Sequence, residues 1–187
     1  MAKKYKKRYY KKKSTNLNKV MRNYFKVKLD TIEKVIWTGN GIAFVVSGEA
    51  TSRNLYTLLE RTPDWGVWRT LFHSFKLTGL AVEISPNAPA QANGAVFSGA
   101  AALGLITSRD TINWNNVTES NFSFLLSTTQ IQRKYKSFNG GLADWHGTDN
   151  AQELDGIFAV LSDGNLQNAI CNFVVKFSFY VTFKNPN

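Results

Sequence analysis

The last strand-like segment of the chain has the most regular pattern in the sequence. From Cys171 to Phe183 every odd-numbered residue is apolar, whereas polar residues such as Asn172, Lys176 and Thr182 lie between them. Because successive side chains of a β-strand point to opposite faces, this period of two predicts a strand with one buried face and one mixed face. A strand of this kind needs a second layer to cover its apolar side. We therefore expect a fold built from packed sheets.

Other segments rich in β-branched and aromatic residues are bounded by turn residues, which also predicts strands. Pro86 should end one of them, because proline cannot donate a ladder hydrogen bond. Leu55, Leu58 and Leu59 have the spacing of a short helix that Pro63 would end. The chain lacks a β-α-β rhythm, so the pattern predicts an all-β fold: a single antiparallel β-sandwich of the jelly-roll type, with about eight strands and one short helix. The predicted strands are residues 24–30, 42–46, 75–84, 94–106, 130–138, 154–161 and 171–183.

The positive charge of the chain is concentrated at its N-terminal end. Twelve of the 23 Lys and Arg residues lie in the first 28 positions, which contain no Asp or Glu, so this stretch carries +12. Residues 29–187 hold 11 basic and 13 acidic residues and carry −2, which accounts for the net charge of +10. Like charges at this density cannot form a core. We therefore divide the chain into a disordered basic arm, residues 1–23, and a folded domain, residues 24–187.

A basic arm of this density is expected to bind a polyanion, and nucleic acid is the favoured partner. Each Lys or Arg that neutralises a phosphate releases a condensed cation, which gives affinity without sequence preference. The alternative roles for the arm are a nuclear-import signal and a solvated tail without a specific partner. The tyrosines of the arm could stack on unpaired bases or be there by composition alone. The candidate stacking residues are Tyr5, Tyr9 and Tyr10, and the candidate nucleic-acid-binding residues are Lys3, Lys4, Lys6, Lys7, Arg8, Lys11, Lys12, Lys13, Lys19 and Arg22, with Arg133, Lys134 and Lys136 in the folded domain.

Few residues suggest catalysis or metal binding. The best candidate places Asp144, His146 and Asp149 within one short segment, but a metal site needs three or four convergent ligands, and ordinary loop hydrogen bonds explain these residues as well. Cys171 is the single cysteine, so neither a disulfide nor a cysteine metal site is expected within the chain. No apolar run approaches the ~20 residues that span a bilayer. We predict no enzyme activity, no catalytic or metal-binding residue, no cofactor and no membrane partner.

Two indoles three residues apart, Trp65 and Trp68, are candidates for contacts between subunits. Tryptophan is common at such contacts and also in ordinary cores, so the sequence leaves both roles open. The chain contains 13 Phe, 7 Tyr and 5 Trp, more than a domain of this size usually needs for its core. Some apolar surface is therefore expected to be covered by identical copies.

Taken in order, these segments resemble the capsid proteins of circoviruses and related small viruses with circular single-stranded DNA genomes. The resemblance begins with the basic arm and the alternating strand that follows it. It continues through residues 72–86, in which aromatic, basic and β-branched residues run into a proline, and through the basic-aromatic residues 133–136. Residues 172–185 resemble the closing strand of that family and end in Phe183-Lys184-Asn185.

This resemblance implies a subunit that assembles with about sixty identical copies, the smallest icosahedral (T=1) shell, and packages a single-stranded DNA genome through its basic arm. It also implies a place in the virion, passage through the host nucleus during assembly, and recognition by host nuclear import receptors. The capsid protein of a small satellite-type RNA virus, and a nucleic-acid-binding protein that forms no shell, remain the alternatives. A jelly-roll enzyme or sugar-binding module would need more convergent His and carboxylate residues.

Overall fold

The structure is a computed structural model that describes residues 24–45, 49–90, 96–97, 99–139, 144–149, 154–164, 166–167 and 170–186. The predicted arm, residues 1–23, lies outside the described residues. Within them, no helix is long and apolar enough to cross a membrane. In chain order the elements are β1 (Phe25–Thr38), β2 (Gly41–Val45), β3 (Glu49–Ala50), β4 (Ser52–Asn54), α1 (Leu55–Glu60), α2 (Trp65–Leu71), β5 (Phe72–Ala90), β6 (Val96–Phe97), β7 (Ala101–Ile106), α3 (Trp114–Thr118), β8 (Ser123–Leu125), β9 (Gln132–Ser137), β10 (His146–Gly147), β11 (Ile157–Ser162), β12 (Leu166–Gln167) and β13 (Ile170–Pro186).

Two antiparallel sheets form the body of the molecule. The first has the order β10-β5-β13-β1-β2-β3, with β9 also paired to β5, and the second has the order β4-β11-β7-β8. The chain passes repeatedly between them: β1 lies in the first sheet, β4 in the second, β5 in the first, β7 and β8 in the second, β9 in the first, β11 in the second and β13 in the first. This alternation between two sheets is the jelly-roll topology, and it confirms the predicted fold class.

The core lies between the inner faces of the two sheets. Every odd-numbered residue from Cys171 to Phe183 is buried, as the alternation predicted. Phe177 of the first sheet meets Phe158 of the second in an edge-on contact with 4.8 Å between ring centroids. The Cys171 thiol belongs to this core, and its burial raises its pKa. The inner faces of both sheets therefore pack against each other in one shared apolar core.

The structure contains two helices that the sequence analysis missed, in addition to α1. Helix α2 occupies the segment in which the two indoles were noted, and α3 lies between the predicted strands 94–106 and 130–138. In α3 the side chain of Asn113 accepts a hydrogen bond from the backbone N–H of Asn116 at 2.8 Å, which satisfies an otherwise unpaired donor. Only Trp65 is buried in α2 and only Val117 in α3, so neither helix has the repeated apolar positions that indicated α1.

Strand β5 is longer than predicted, because Pro86 does not end it. The strand continues to Ala90, and Pro86 lies opposite Phe173 of β13. On its other side β5 pairs with β9 only as far as Ile84, opposite Gln132. Beyond Ile84 the described part of β5 is therefore an edge, where proline is tolerated in a sheet.

Helix α3 covers the outer face of the second sheet. Gly104 of β7 allows its close approach, because a Cβ at this position would collide with the carbonyl oxygen of Val117. Ala102, Ile106 and Ala159 join Val117 in a buried apolar cluster between the helix and the sheet. Helix α3 thus lies directly against the small residues of β7 as a further layer of the same chain. The outer face of the first sheet differs from this one, because its strands expose charged residues.

A buried ion pair links the first sheet to the second. Glu33, with 2% of its side chain exposed, lies on the core face of β1. Arg61, which follows α1, donates a 2.7 Å hydrogen bond from Nη1 to the Oε1 atom of Glu33. The Nε atom of Arg53 in β4 lies 3.9 Å from Oε2. Glu33 interrupts the apolar positions of β1, and the sequence pattern alone did not indicate its partners.

Candidate nucleic-acid interface

The outer face of four adjacent strands, β1, β13, β5 and β9, is rich in basic side chains. These side chains alternate with the buried residues of their strands and so point away from the second sheet. Seven are cationic and two are acidic, which gives this surface a charge of +5 although residues 24–187 together carry no net charge. We name this surface the basic face; its cations are Lys26, Lys28, Lys34, Lys76, Arg133, Lys176 and Lys184, and its acids are Asp30 and Glu83.

Strand register brings these cations together from distant parts of the sequence. Thr182 in β13 lies opposite Lys26 on one side and opposite Lys76 on the other. Lys176 lies opposite Glu83 in β5, which in turn lies opposite Arg133 in β9. Since neighbouring strands are about 4.8 Å apart, cations two strands apart are separated by roughly 10 Å. The basic face therefore spreads its charge over a wide, flat area.

Asp30 reduces the charge of the basic face and orders two of its lysines. Its carboxylate lies 3.3 Å from the Nζ atom of Lys28 and 3.1 Å from that of Lys176. Burial acts to raise the pKa of Asp30, but hydrogen bonds from Ser178, Lys176 and Lys28 outweigh it, and the net pKa is lowered. The group is therefore a carboxylate at neutral pH and holds both ammonium groups in place.

Two tyrosines pack against each other in the middle of the basic face. The ring of Tyr135 in β9 meets that of Tyr180 in β13 edge-on, with 5.5 Å between centroids and 83° between planes. Tyr135 lies over Gly79 of β5: a Cβ at position 79 would collide with its hydroxyl and come within 2.9 Å of its Cζ atom. Glycine thus leaves room for the ring on the sheet, and Tyr135 is still 59% exposed.

A second aromatic group lies at the corner of the basic face where β1 begins. Tyr24 stacks on Trp145 with 5.9 Å between ring centroids. The ammonium groups of Lys184 and Lys76 lie 4.1 and 5.1 Å from the centroid of the same indole. Cations at this distance from a tryptophan face are attracted by its π-electrons. Because Tyr24 directly follows residue 23, this corner adjoins the end of the predicted arm.

The basic residues predicted in the folded domain do not form one cluster. Arg133 lies on the basic face, 3.9 Å from Glu83. Lys134 points to the other side of β9, where its ammonium group bonds to the Ser123 carbonyl and lies 5.0 Å from the Phe124 ring centroid. Lys136 also points to that side, where it lines a depression beside α3. Adjacent strand residues alternate between faces, so residues 133 and 134 cannot share one. The ten basic residues and three tyrosines of the arm lie outside the described residues.

The structure places the two indoles of α2 differently. Trp65 is 2% exposed, and its ring meets Phe75 edge-on with 5.0 Å between centroids. Trp68 is partly buried and stacks on Phe183 and Phe72, with centroids 5.3 and 5.8 Å away. Of the two roles that the sequence left open, Trp65 has the core role, whereas Trp68 keeps part of its ring at the surface.

The segment that contained the catalytic candidates is a short edge strand. His146 lies opposite Phe75 in β5, and its ring is 5.7 Å from the Phe75 ring centroid. Thr148 donates a 2.8 Å hydrogen bond from its hydroxyl to the Phe72 carbonyl. Among the described residues, no three His, Cys, Asp or Glu side chains converge as metal ligands would.

Sequence reasoning missed Gly79, Tyr180 and Trp145 as parts of this surface. One signal was present, since Tyr180 occupies an even, outward position in the alternating closing strand. The contact of Gly79 with Tyr135 and that of Trp145 with Lys184 join residues far apart in the chain. Local patterns could not indicate these contacts.

Comparisons with known proteins connect this fold to virus shells. No protein-family model matches the chain, and neither does any curated protein. The structure of Cocksfoot mottle virus matches with a TM-score of 0.59 and 10% identity, over 88% of this chain and 97% of the other. The Penaeus vannamei nodavirus capsid protein, in a T=1 subviral particle of a deletion mutant, matches with a TM-score of 0.57 and 12% identity, over 87% of this chain and 98% of the other. A decameric BFDV capsid protein matches with a TM-score of 0.50 and 12% identity, over 87% of this chain and 99% of the other. The chain thus has the jelly-roll fold found in viral capsid proteins.

Proposed function

We propose that this protein is the capsid subunit of a small icosahedral virus. It assembles with identical copies into a shell and holds the genome with its basic arm. The observation that carries this proposal is the jelly-roll fold shared with capsid structures, preceded at β1 by a segment, residues 1–23, that contains ten basic residues and no acidic one. A non-capsid nucleic-acid-binding protein would explain the arm but not this fold.

Exposed apolar side chains support contacts between copies. Val67 on α2 is 59% exposed, and Leu125 and Ile131, at the two ends of the β8–β9 connection, are 61% and 69% exposed. Large exposed apolar side chains of this kind, here at two places in the fold, are covered when they lie in protein contacts. With Trp68, these residues are our candidates for the subunit interface. The small net charge of the folded domain means that its copies approach one another with little long-range repulsion.

The charge of the arms is large enough to neutralise many phosphates of a small genome. In a shell of about sixty copies, arms of +10 would offset on the order of 600 phosphates by one-to-one neutralisation. This binding needs no base sequence and weakens as the salt concentration rises. We propose single-stranded DNA as the genome because the order of segments resembles the capsid proteins of circular single-stranded DNA viruses; the satellite-type alternative would package RNA.

The proposal is tested by purifying the full chain and measuring its mass by light scattering. Sixty copies of a 21.0 kDa subunit would give particles of about 1.3 MDa. Nucleic acid extracted from the particles is then treated with DNase or RNase, and loss to DNase alone is expected. A chain that stays monomeric under all salt and pH conditions refutes the capsid proposal, and loss to RNase alone refutes the DNA genome.

The role of the arm is tested by deleting residues 2–13. We expect shells of normal mass with little nucleic acid, measured as a fall in the ratio of absorbance at 260 nm to that at 280 nm. The matched control keeps the length of the arm and replaces its eight Lys and Arg residues in that range by Gln. If the control packages a normal amount of nucleic acid, the charge of the arm does not hold the genome.

We also propose that the arm directs nuclear import, through host import receptors, during assembly. The Lys-rich run in residues 3–13 has the composition of such signals. Residues 1–23 fused to a fluorescent protein should accumulate in the nucleus, and the Gln-substituted arm should not. An even distribution of the first fusion between nucleus and cytoplasm would contradict this role.

A further inference from the structure

We propose that the basic face is a second nucleic-acid site, one that binds a single strand by its phosphates and stacks an unpaired base on Tyr135. The site belongs to the folded domain and is separate from the arm. The inference rests on the proposed function, since its partner is the packaged genome.

Charge complementarity is the first reason for this assignment. Seven cations and two acids lie on the outer face of four adjacent strands. The cations come from both ends and from the middle of the folded domain, and β13 brings them together. Asp30 fixes Lys28 and Lys176 in position, at 3.3 and 3.1 Å. A sheet surface with spaced ammonium and guanidinium groups suits the repeated phosphates of a nucleic-acid backbone.

The aromatic residues favour a single strand over a duplex. The Tyr135 ring is 59% exposed and is supported from beneath by Gly79 and from the side by Tyr180. Exposed aromatic rings on a sheet surface bind nucleic acid by stacking on bases, and only unpaired bases offer their faces. A duplex would be held by the charges alone and would leave Tyr135 without a role.

The position of the basic face in the fold is the second reason. The corresponding face of the other sheet is covered by α3, whereas the basic face carries exposed charged side chains. The arm joins the folded domain at Tyr24, which stacks on Trp145 at the edge of this face. A strand bound by the arm therefore reaches the domain beside Lys76 and Lys184.

The first experiment cross-links the full chain to a thymine oligonucleotide with ultraviolet light and maps the linked residues by mass spectrometry. We expect links at Tyr135 as well as at tyrosines of the arm. Tyr56, in α1, where its hydroxyl donates a hydrogen bond to Glu60, serves as the internal control and should remain unlinked. Links in the arm without a link at Tyr135 overturn this inference and leave the proposed function intact. Links at neither place overturn both.

The second experiment measures binding of the same oligonucleotide to substituted full chains. Tyr135→Leu should weaken binding by on the order of 10-fold at every salt concentration, whereas Tyr135→Phe, which keeps the ring, should bind like the unchanged protein. Since Tyr135 is largely exposed, both variants should melt at the unchanged temperature. Equal affinity of the Leu and Phe variants would refute stacking on this ring.

The charges are tested by the salt dependence of the affinity. Replacing Arg133 and Lys176 together by Gln should reduce the slope of log affinity against log salt by about 1.4, since each phosphate contact to a single strand contributes about 0.7. The control replaces Arg69 on α2 and Arg109 after β7 by Gln, which removes the same charge elsewhere. If both pairs of substitutions change the slope equally, the basic face has no specific contact with the strand.

Discussion

The buried ion pair of Glu33 gives the sharpest prediction about stability. In an Arg61→Met variant the side-chain stem remains but the guanidinium is lost. The Glu33 carboxylate, 2% exposed, then loses a 2.7 Å donor and keeps the Nε atom of Arg53 only at 3.9 Å. Breaking a buried pair by removing one partner costs about 3–5 kcal/mol, and the remaining Arg53 places this case near the lower end, at about 3 kcal/mol. For a domain of this size that corresponds to a fall in melting temperature of about 6–12 °C.

The measurement is urea unfolding of unassembled subunits at neutral pH, followed by thermal melting. Arg69→Met is the matched control: the side chain of Arg69 is 48% exposed and its Nη1 atom lies 3.9 Å from Glu60, so its loss should cost less than about 1 kcal/mol. Adding Glu33→Gln to Arg61→Met removes the buried charge and should recover part of the lost stability. If Arg61→Met is no less stable than Arg69→Met, the pair does not contribute to the fold as described.

Three further predictions concern the body of the molecule. Gly104→Ala should destabilise the domain by about 1–3 kcal/mol, measured by urea unfolding, because its Cβ would meet the Val117 carbonyl; unchanged stability would show that α3 can move away. Phe177→Ala, at a fully buried position, should cost about 3–5 kcal/mol in the same assay, whereas Ile32→Ala, at a position 61% exposed, should stay within about 0.5 kcal/mol. The pKa of Asp30 is lowered in the folded state, so its contribution to the free energy of unfolding is present above the unfolded pKa of about 3.9 and is lost as the pH falls through the folded pKa. Asp30→Asn should therefore lose less stability than the unchanged protein as the pH is lowered through this range. Identical losses of stability in acid would contradict this.

Sequence patterns predicted correctly the elements whose apolar residues recur at the regular spacing of a strand or a helix. The closing strand was predicted because its apolar residues alternate without a break from Cys171 to Phe183, and all of them are buried. Helix α1 was predicted because three leucines share one face, and all three lie in the core. These patterns depend only on the geometry of a single strand or helix, which the sequence records directly.

The errors arose where contacts between elements decided the outcome. Pro86 continues a strand because β9 ends before reaching it, and this depends on the length of another strand. Helix α3 buries only Val117 and so shows no apolar period, and it is held by its contact with Gly104. The basic cluster predicted in residues 133–136 divides between two faces of β9. That division follows from strand alternation and was therefore available from the sequence once β9 had been assigned.

The sequence by itself determined the concentration of positive charge in the first 28 residues and the two-layer, all-β character of the fold, because charge density and the period of burial are properties of neighbouring residues. The tertiary structure decided which polar residues share a surface. Lys26, Lys76 and Lys184 lie far apart in the chain and meet only because β13 pairs with β1 on one side and with β5 on the other. Register also sets Tyr135 over Gly79. A shift of one residue would turn every one of these side chains to the opposite face, so the basic face exists only in the folded sheet.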